Sequence, residues 1–249
     1  MTNGYYVYAI QRRGTKLPPK LTGLDDRPLV AVPHGDLEAV VSETDRPTLQ
    51  ASAENVLRHE TVVEGVREMG PAIPVRFGTV LSHAEAVAGA LSSRYAVLDE
   101  DLRRFGDKIE MGLSALWDPP PETAVNELRN VDGSDLQGIG TRYMRTRLLE
   151  RRRDAQIRLR AEDLARSVNA DLASHALDYT TKILPTPRLP LRVAYLMHPS
   201  SVGDFQDAFA ELPRQRTDVR FLLSGPWPPY SFVTRPDADE RSAIEGLLG

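Results

Sequence analysis

The stretch LRVAYLMHPSSVGDFQDAFAELPRQRTDVRFLL, residues 191–223, changes its apolar period twice, and this change decides the fold. Residues 191–197 form a short apolar run that is typical of a strand. An amphipathic helix is predicted over residues 200–212, because Val202, Phe205, Phe209 and Leu212 share one helical face. Residues 219–223 return to the composition of a strand. The stretch therefore predicts a strand, a helix and a second strand.

Three further elements precede this unit. A strand is predicted over residues 176–184, and the longest helical candidate covers residues 141–174. Residues 108–117 alternate apolar and polar side chains, as a half-buried strand does. The order from residue 108 onward is strand, helix, strand, strand, helix, strand, which is the split βαβ or ferredoxin-like order. The sequence thus predicts a ferredoxin-like second domain that carries a long basic helix.

The first half of the chain reads as a separate α+β unit. Helices are expected over residues 52–69 and 82–105, with Ser52 as an N-cap and a capping box from Ser82 to Glu85. Strands are expected near residues 5–10, 29–33, 37–41 and 73–77. The fold class is therefore α+β with two domains.

The order of strands also sets the expected domain boundaries. We predict an N-terminal domain over residues 1–106, a ferredoxin-like domain over residues 107–225, and a C-terminal tail over residues 226–249 that packs back on the protein and includes a short helix at 241–248. An alternative boundary lies in the turn-rich residues 119–140. The first division is preferred because it leaves the second sheet complete.

Composition excludes several classes of protein. The 249 residues are 41% hydrophobic and 27% charged, as in ordinary globular chains. No stretch approaches the roughly 20 apolar residues that cross a bilayer, so no membrane segment is predicted. The absence of cysteine excludes disulfides, thiolate nucleophiles and thiolate metal sites, and favours a cytoplasmic location. The net charge of −4 creates no general attraction for nucleic acid.

The usual signatures of catalysis and of cofactor binding are missing. Neither a P-loop GxxxxGK[ST] nor a GxSxG elbow occurs. The histidines fall in separate predicted elements and form no HExxH motif: His34, His59, His83, His175 and His198. The sequence therefore predicts no catalytic residues, no metal site and no cofactor site.

The long helix is the one strongly charged feature. Residues 141–166 contain nine arginines and four acidic residues, a local charge of +5. The simplest interpretation is a solvated helix with ion pairs between residues four apart. An acidic protein partner is the second interpretation. Nucleic-acid binding is disfavoured, because Tyr143 is the only aromatic residue among these arginines.

Two proline-containing segments stand out from their surroundings. GPAIPVRFGT, residues 70–79, places two prolines at the entry of a strand, which is typical of a sheet edge. SGPWPPYSF, residues 224–232, holds Trp227 and Tyr230 on a stiff polyproline-like stretch. One interpretation is that this tail folds over an apolar groove of its own chain. The other is a surface that binds a partner, since Trp, Tyr and Arg concentrate interface energy.

Three strings carry a family resemblance. YYVYAI at residues 5–10, GPAIPVRFGTVL at 70–81 and LLSGPWPPYSFV at 222–233 resemble, in this order and at similar separations, the gas vesicle protein F/L family. The resemblance covers nearly the whole chain, from Tyr5 to Val233. It implies a non-enzymatic accessory protein of gas vesicles, with two α+β domains, the second of which is ferredoxin-like.

The resemblance also implies a partner. Family members are thought to contact the small hydrophobic shell subunit during assembly, so the shell subunit and other gas vesicle accessory proteins are the expected partners, and the expected location is the cytoplasm, at gas vesicles. The alternative function is a ferredoxin-like regulatory module that binds a small ligand. The candidate partner-contact residues lie in the two proline-containing segments: Ile73, Val75, Arg76, Phe77, Trp227, Tyr230 and Phe232.

Overall fold

A computed structural model describes residues 4–117, 139–184 and 189–234. By its internal contacts the described chain divides into two units, residues 4–110 together with 226–234, and residues 111–225. Among the described residues, no helix is both long and apolar enough to span a membrane. The mixed helix and sheet content confirms the predicted α+β class.

The first unit is a sheet with three helices. The sheet order is β2-β3-β1-β4, and β5 also pairs with β1. The elements in chain order are β1 Gly4–Arg12, β2 Val30–His34, β3 Leu37–Thr44, α1 Ala53–Met69, β4 Ala72–Pro74, β5 Val80–Leu81, α2 Ala84–Ser93 and α3 Tyr95–Phe105. The strands expected near residues 29–33 and 37–41 are present as β2 and β3, which pair antiparallel as a hairpin with His34 opposite Leu37. Gly35 in the turn has φ +58°, a conformation that glycine adopts without strain.

Helix starts in this unit follow local capping chemistry. Ser52 caps α1 as predicted, since its hydroxyl accepts a hydrogen bond from Asn55 N at 3.2 Å. The predicted capping box from Ser82 to Glu85 is wrong. His83 is the N-cap of α2, and its Nδ1 accepts from Ala86 N at 3.0 Å. An imidazole nitrogen can satisfy an open N–H of the first turn as a hydroxyl does.

The core of the first unit lies between β1, β3 and α1. Tyr6 and Tyr8 point from β1 into this core and are fully buried. The other buried members are Ala9, Leu24, Val40, Val62, Val63, Val66 and Ala72. Because two tyrosines sit in an apolar core, their hydroxyls require buried polar partners.

The described residues of the second unit form a sheet with two α-helices. The sheet order is β7-β8-β6-β9, and β7 pairs antiparallel with β8. The elements are β6 Ile109–Trp117, α4 Ile139–Leu172, β7 Asp178–Ile183, β8 Leu191–Met197, α5 Val202–Gln215 and β9 Val219–Trp227. Tyr195 Oη donates to Asn169 Oδ1 at 2.7 Å, and Arg160 lies 4.5 Å from the centre of the Trp117 ring. These contacts hold α4 on the sheet.

Two predicted strands have different bounds. The strand predicted over residues 73–77 is shorter: its pairing with β1 covers Ala72–Pro74, and the chain then turns before Thr79, where Gly78 has φ +88° and Thr79 N donates to Arg76 O. The last strand, predicted to end at residue 223, continues through the Gly-Pro-Trp motif to Trp227. The alternative boundary at residues 119–140 falls almost entirely outside the described residues, and the predicted helix at 241–248 falls outside them altogether.

Candidate functional site

A buried polar cluster lies beneath the C-terminal tail of the first unit. Tyr6 Oη lies 2.9 Å from His59 Nδ1, and His59 Nε2 lies 3.1 Å from Val75 O. A carbonyl oxygen accepts only, so Nε2 carries the proton and Nδ1 accepts from Tyr6. Tyr6 Oη in turn accepts from Gly78 N at 3.0 Å. The turn that follows β4 is thereby joined to α1 through one imidazole.

Burial controls the charge of this cluster. The side chain of His59 is fully buried among Tyr6, Tyr8 and Phe77, with ring centres 5.6 to 5.7 Å away. Desolvation lowers the pKa of His59 to about 4, although its hydrogen bond to Val75 O acts in the opposite direction. The imidazole is therefore neutral at pH 7. Burial also raises the pKa of the Tyr6 hydroxyl, which stays protonated.

Tyr230 connects the tail to this cluster. Its Oη lies 3.2 Å from His59 Nε2 and donates to Glu60 Oε1 at 3.1 Å. Burial raises the pKa of Glu60, and the hydrogen bond from Tyr230 partly offsets that rise. Glu60 Oε2 is buried and has no hydrogen-bond partner among the described residues. Tyr230 therefore supplies the hydrogen bond that compensates the burial of this carboxyl group.

Two more carboxylates hold the tail. Ser231 donates from its backbone N and its Oγ to the two oxygens of Glu110, at 2.8 and 2.7 Å. Thr234 binds Asp101 in the same way, with N and Oγ donating at 2.8 and 3.0 Å. Burial raises the pKa of Glu110, while the two hydrogen bonds from Ser231 lower it. Such two-point bonds to a carboxylate fix both position and orientation.

An apolar groove of about 450 Å³ lies beside this tail, within the first unit. Its floor comes from β1, β3 and β4, one wall from α2 and α3, and the other wall from the tail. Arg76 and Arg94 are the cationic side chains among the lining residues. The apolar lining residues include Ile10, Ile73, Val75, Leu81, Val87, Ala90, Leu91, Leu98 and Val233. This groove is a concave, mainly apolar surface that is large enough to take side chains of another molecule.

The seven candidate contact residues fall into two groups. Four of them line the groove: Ile73, Val75, Arg76 and Tyr230. Ile73 is fully buried in its own chain, so a partner reaches it only through the groove.

The other three lie outside the groove. Phe77 packs on His59, and Phe232 packs on Phe105 with ring centres 6.2 Å apart. Trp227 ends β9 and is 42% exposed.

Sequence reasoning missed the residues that fasten the tail. His59 and Glu60 occupy the position of an apolar residue in the periodic pattern of α1, and this conflict was the available signal. The alternation of residues 108–117 places Glu110 on the polar side of its strand, yet Glu110 is only 9% exposed. Asp101 is 2% exposed and gave no signal in the sequence. Among the described residues, no three acidic or histidine side chains are placed to hold a metal ion.

Comparison with known proteins places the chain. A family model described as gas vesicle synthesis protein GvpL/GvpF matches residues 4–234. Gas vesicle protein F of a Streptomyces species is 27% identical over 92% of this chain and 98% of its own length. Gas vesicle protein L2 of Halobacterium salinarum is 28% identical over 96% of this chain and 95% of its own length.

Solved structures share the fold. The crystal structure of gas vesicle protein GvpF from an Anabaena species superposes with a TM-score of 0.72, at 20% identity, over 94% of this chain and 98% of that one. GvpF from Microcystis aeruginosa gives a TM-score of 0.71, also at 20% identity, over 93% and 99%. Because the family model covers almost the entire described chain, the protein belongs to the GvpL/GvpF family of gas vesicle synthesis proteins.

Proposed function

We propose that this protein binds the small hydrophobic shell subunit of gas vesicles and covers its apolar surface during vesicle assembly. A subunit that borders a gas space exposes a large apolar area, which aggregates in water if it is left uncovered. The family assignment supports a role in gas vesicles. The observation that carries the specific proposal is the groove, which gathers four candidate residues from both proline-containing segments.

An apolar segment of a partner fits the groove better than it fits the open edge of the sheet at β4. An added strand would need open backbone groups on β4. However, Ala72 N donates to Gly106 O at 3.2 Å, and Ala72 O accepts from Arg67 at 2.8 Å. Pro74 has no N–H to offer. Because these groups of β4 are used within the chain, we favour insertion of apolar side chains into the groove, such as those of an amphipathic helix.

Co-expression with the shell subunit tests this proposal. Ala90 lines the groove on α2, so Ala90→Trp is expected to fill it and to reduce co-purification of the shell subunit. Ala96→Trp is the matched control, because Ala96 is exposed on α3 and does not line the groove. Thermal melting of both variants reports whether they fold. Equal retention of the shell subunit by wild type and Ala90→Trp would contradict groove binding.

The exposed aromatic residue offers a second contact. Trp227 is 42% exposed, and aromatic side chains of this kind often anchor interfaces. Trp227→Ala is expected to weaken binding of the shell subunit while leaving the melting temperature unchanged. Leu222→Ala is its control, since Leu222 lies on the same strand and is 58% exposed.

We also propose that residues 107–225 form a ferredoxin-like domain. The chain order β6, α4, β7, β8, α5, β9 and the sheet order β7-β8-β6-β9 support this assignment. The proposed boundaries are those expected from the sequence, near residues 106 and 226. Cooperative unfolding of the isolated fragment 107–225 would support them, and an unfolded fragment would contradict them.

The proposed role needs no bond-making chemistry, so we expect no enzymatic activity and no cofactor. Other gas vesicle accessory proteins are further expected partners, because assembly brings several proteins together. The expected location is the cytoplasm, at the growing vesicle. Pairwise co-purification with the other gas vesicle proteins, and fluorescence imaging of a tagged chain, check these two expectations.

A second function is favoured by the size of the groove. A volume of about 450 Å³ falls in the range of small-ligand sites, roughly 300–1,000 Å³. A ligand that binds only the folded state raises the melting temperature. A metabolite that stabilises wild type but not Ala90→Trp, in a protein that does not retain the shell subunit, would select this regulatory alternative.

A further inference from the structure

The N-terminal half of α4 exposes the side chains whose burial the structure describes. From Met144 to Gln156, every residue whose burial is described is exposed. Ile157, at 9% exposure, is the first buried residue of the helix, and the buried stripe continues through Ala161, Ala165, Val168 and Leu172. The helix is thus anchored by its C-terminal half alone, as far as the described residues show.

The exposed half carries an apolar stripe of its own. Met144 is 70%, Leu148 51% and Leu159 61% exposed, and Ala155 completes the row. With 3.6 residues per turn, these four positions fall within about 60° of arc, on a different face of the helix from the buried stripe. The pattern repeats after 11 residues, from Met144 to Ala155 and from Leu148 to Leu159. A repeat of this length keeps one face of a nearly straight helix towards a partner helix.

Arginines surround this stripe. Arg151 lies on the same face, and Arg147, Arg152 and Arg158 border it. Nearer the anchored end, arginines have acidic partners in the chain: Arg158 pairs with Glu162 at 2.9 Å and Arg160 with Asp218 at 2.7 Å. Arg151 and Arg152 form no hydrogen bond or ion pair with the residues that the structure describes. Arg151 and Arg152 therefore lie beside the stripe without an acidic partner among the described residues.

We propose that this stripe, defined by Met144, Leu148, Ala155 and Leu159, binds an acidic amphipathic helix of a partner protein. Apolar side chains of the partner would pack along the stripe, and its carboxylates would pair with Arg151 and Arg152. The local charge of +5 disfavours a second copy of the same helix. The proposal does not depend on the groove or on the shell subunit.

Other polyanions match this surface less well. Nucleic acid requires phosphate contacts but gains nothing from exposed leucines, and no aromatic side chain belongs to the stripe on which a base could stack. Helices that lie on membranes usually add Trp or Phe to their apolar face. A protein helix is the ligand that uses both the apolar row and the arginines.

Binding of a defined peptide tests the proposal with the full-length chain. The probe is a fluorescent helical peptide with leucines at the same 11-residue repeat and glutamates on both sides. A scrambled peptide of identical composition controls for charge alone. At about 0.15 M salt, where surface charges are screened beyond roughly 8 Å, we expect the patterned peptide to bind at least about tenfold more tightly than the scrambled one. Equal affinities would overturn the proposal.

Two variants separate the apolar and the charged contributions. Leu148→Ser with Leu159→Ser is expected to weaken peptide binding by about tenfold or more. Arg151→Glu with Arg152→Glu is expected to lose the acidic peptide and to bind its lysine counterpart. Leu222→Ser and Arg192→Glu are matched controls on exposed positions of β9 and β8. Unchanged peptide affinity in both stripe variants would overturn the proposal.

Competing ligands give the remaining outcomes. Binding to a short DNA duplex, or to phosphatidylcholine vesicles that contain phosphatidylglycerol, in preference to the peptide would overturn the assignment to a protein helix. Self-association that disappears in the Leu148→Ser, Leu159→Ser variant would assign the stripe to a second copy instead. Ala90→Trp is expected to bind the peptide like wild type, so a failure of the groove proposal leaves this result unaffected.

Discussion

Residues 228–234 of the C-terminal tail and the N-terminal half of α4 both stand out in the sequence. In the structure, however, the two segments lie in different environments. The tail is held by the buried carboxyl groups of Asp101 and Glu110 and the half-buried one of Glu60, through hydroxyl and backbone donors. The half-helix exposes its apolar stripe on the described surface. An unusual composition singles out both segments but does not tell whether a segment packs within its own chain. The presence of matching hydrogen-bond partners decides this.

Chemistry explains why the tail is the internal segment. Each of its polar side chains meets a carboxyl group that burial would otherwise leave poorly solvated, and an unmet buried carboxyl group is costly. The stripe on α4 has no such requirement. Exposed leucine and methionine side chains leave no hydrogen bond unmade, so they remain available to a partner.

The largest expected effect concerns the imidazole beneath the tail. His59→Ala removes a fully buried ring and leaves the Tyr6 hydroxyl without its acceptor. We expect the free energy of unfolding to fall by about 3 kcal/mol, from the cavity and the lost hydrogen bond. Urea denaturation measures this change. His198→Ala, at an exposed position, is expected to stay within about 0.5 kcal/mol of wild type. Similar stability of both variants would show that the tail is not held through His59.

The second prediction concerns pH. The pKa of His59 is about 4 in the folded protein, against the ordinary value of 6.5. Between these values the unfolded chain binds a proton that the folded chain does not, so stability rises with pH across this window and is lost as pH falls. The His59 contribution between pH 7 and pH 4 is about 3 kcal/mol.

Two neighbouring carboxyl groups act in the opposite direction. Burial raises the pKa of Glu60 and of Glu110, so the folded protein holds their protons longer as pH rises above 4.5. The informative quantity is therefore the difference between wild type and His59→Gln. Wild type is expected to lose about 3 kcal/mol more than the variant on acidification from pH 7 to 4. Parallel stability curves would contradict the low pKa of His59.

Much of the fold was predictable because apolar periodicity is a local property. The strands and helices of both units, including the hairpin at Gly35, follow from alternation, helical spacing and turn residues. Errors occurred where one side chain or one backbone angle overrides the pattern. Examples are the His83 cap of α2 and the turn at Gly78, which shortens β4.

The candidate site was less predictable because it depends on distant contacts. His59 and Tyr230 are 171 residues apart, and nothing in the sequence around either residue indicates that the two are in contact. The tail motif itself was visible, since Trp and Tyr on a stiff segment are unusual. Tyr230 points inward, whereas Trp227 is 42% exposed. The direction of Tyr230 depends on the position of Glu60, which only the folded chain reveals.

The third prediction tests the tail directly. Tyr230→Phe keeps the ring but removes the hydroxyl that donates to Glu60. The buried carboxyl group then lacks this donor, and the free energy of unfolding is expected to fall by about 1–3 kcal/mol. Thermal or urea unfolding measures the change, with Tyr179→Phe as control, because Tyr179 is 44% exposed. An equal effect of both substitutions would mean that the hydroxyl does not fasten the tail.

The smallest expected effect concerns the exposed apolar stripe of α4. Leu159→Ala removes a side chain that is 61% exposed on the stripe of α4, and we expect the free energy of unfolding to change by no more than about 0.5 kcal/mol. Leu172→Ala in the same helix is the matched control, since Leu172 is fully buried and its truncation is expected to lower stability by about 2–5 kcal/mol. Urea denaturation of both variants measures the contrast. If Leu159→Ala destabilises the chain as much as Leu172→Ala does, the stripe packs within its own chain and the two regions do not differ. A near-zero effect would show that folding does not need the Leu159 side chain, which then remains available to a partner.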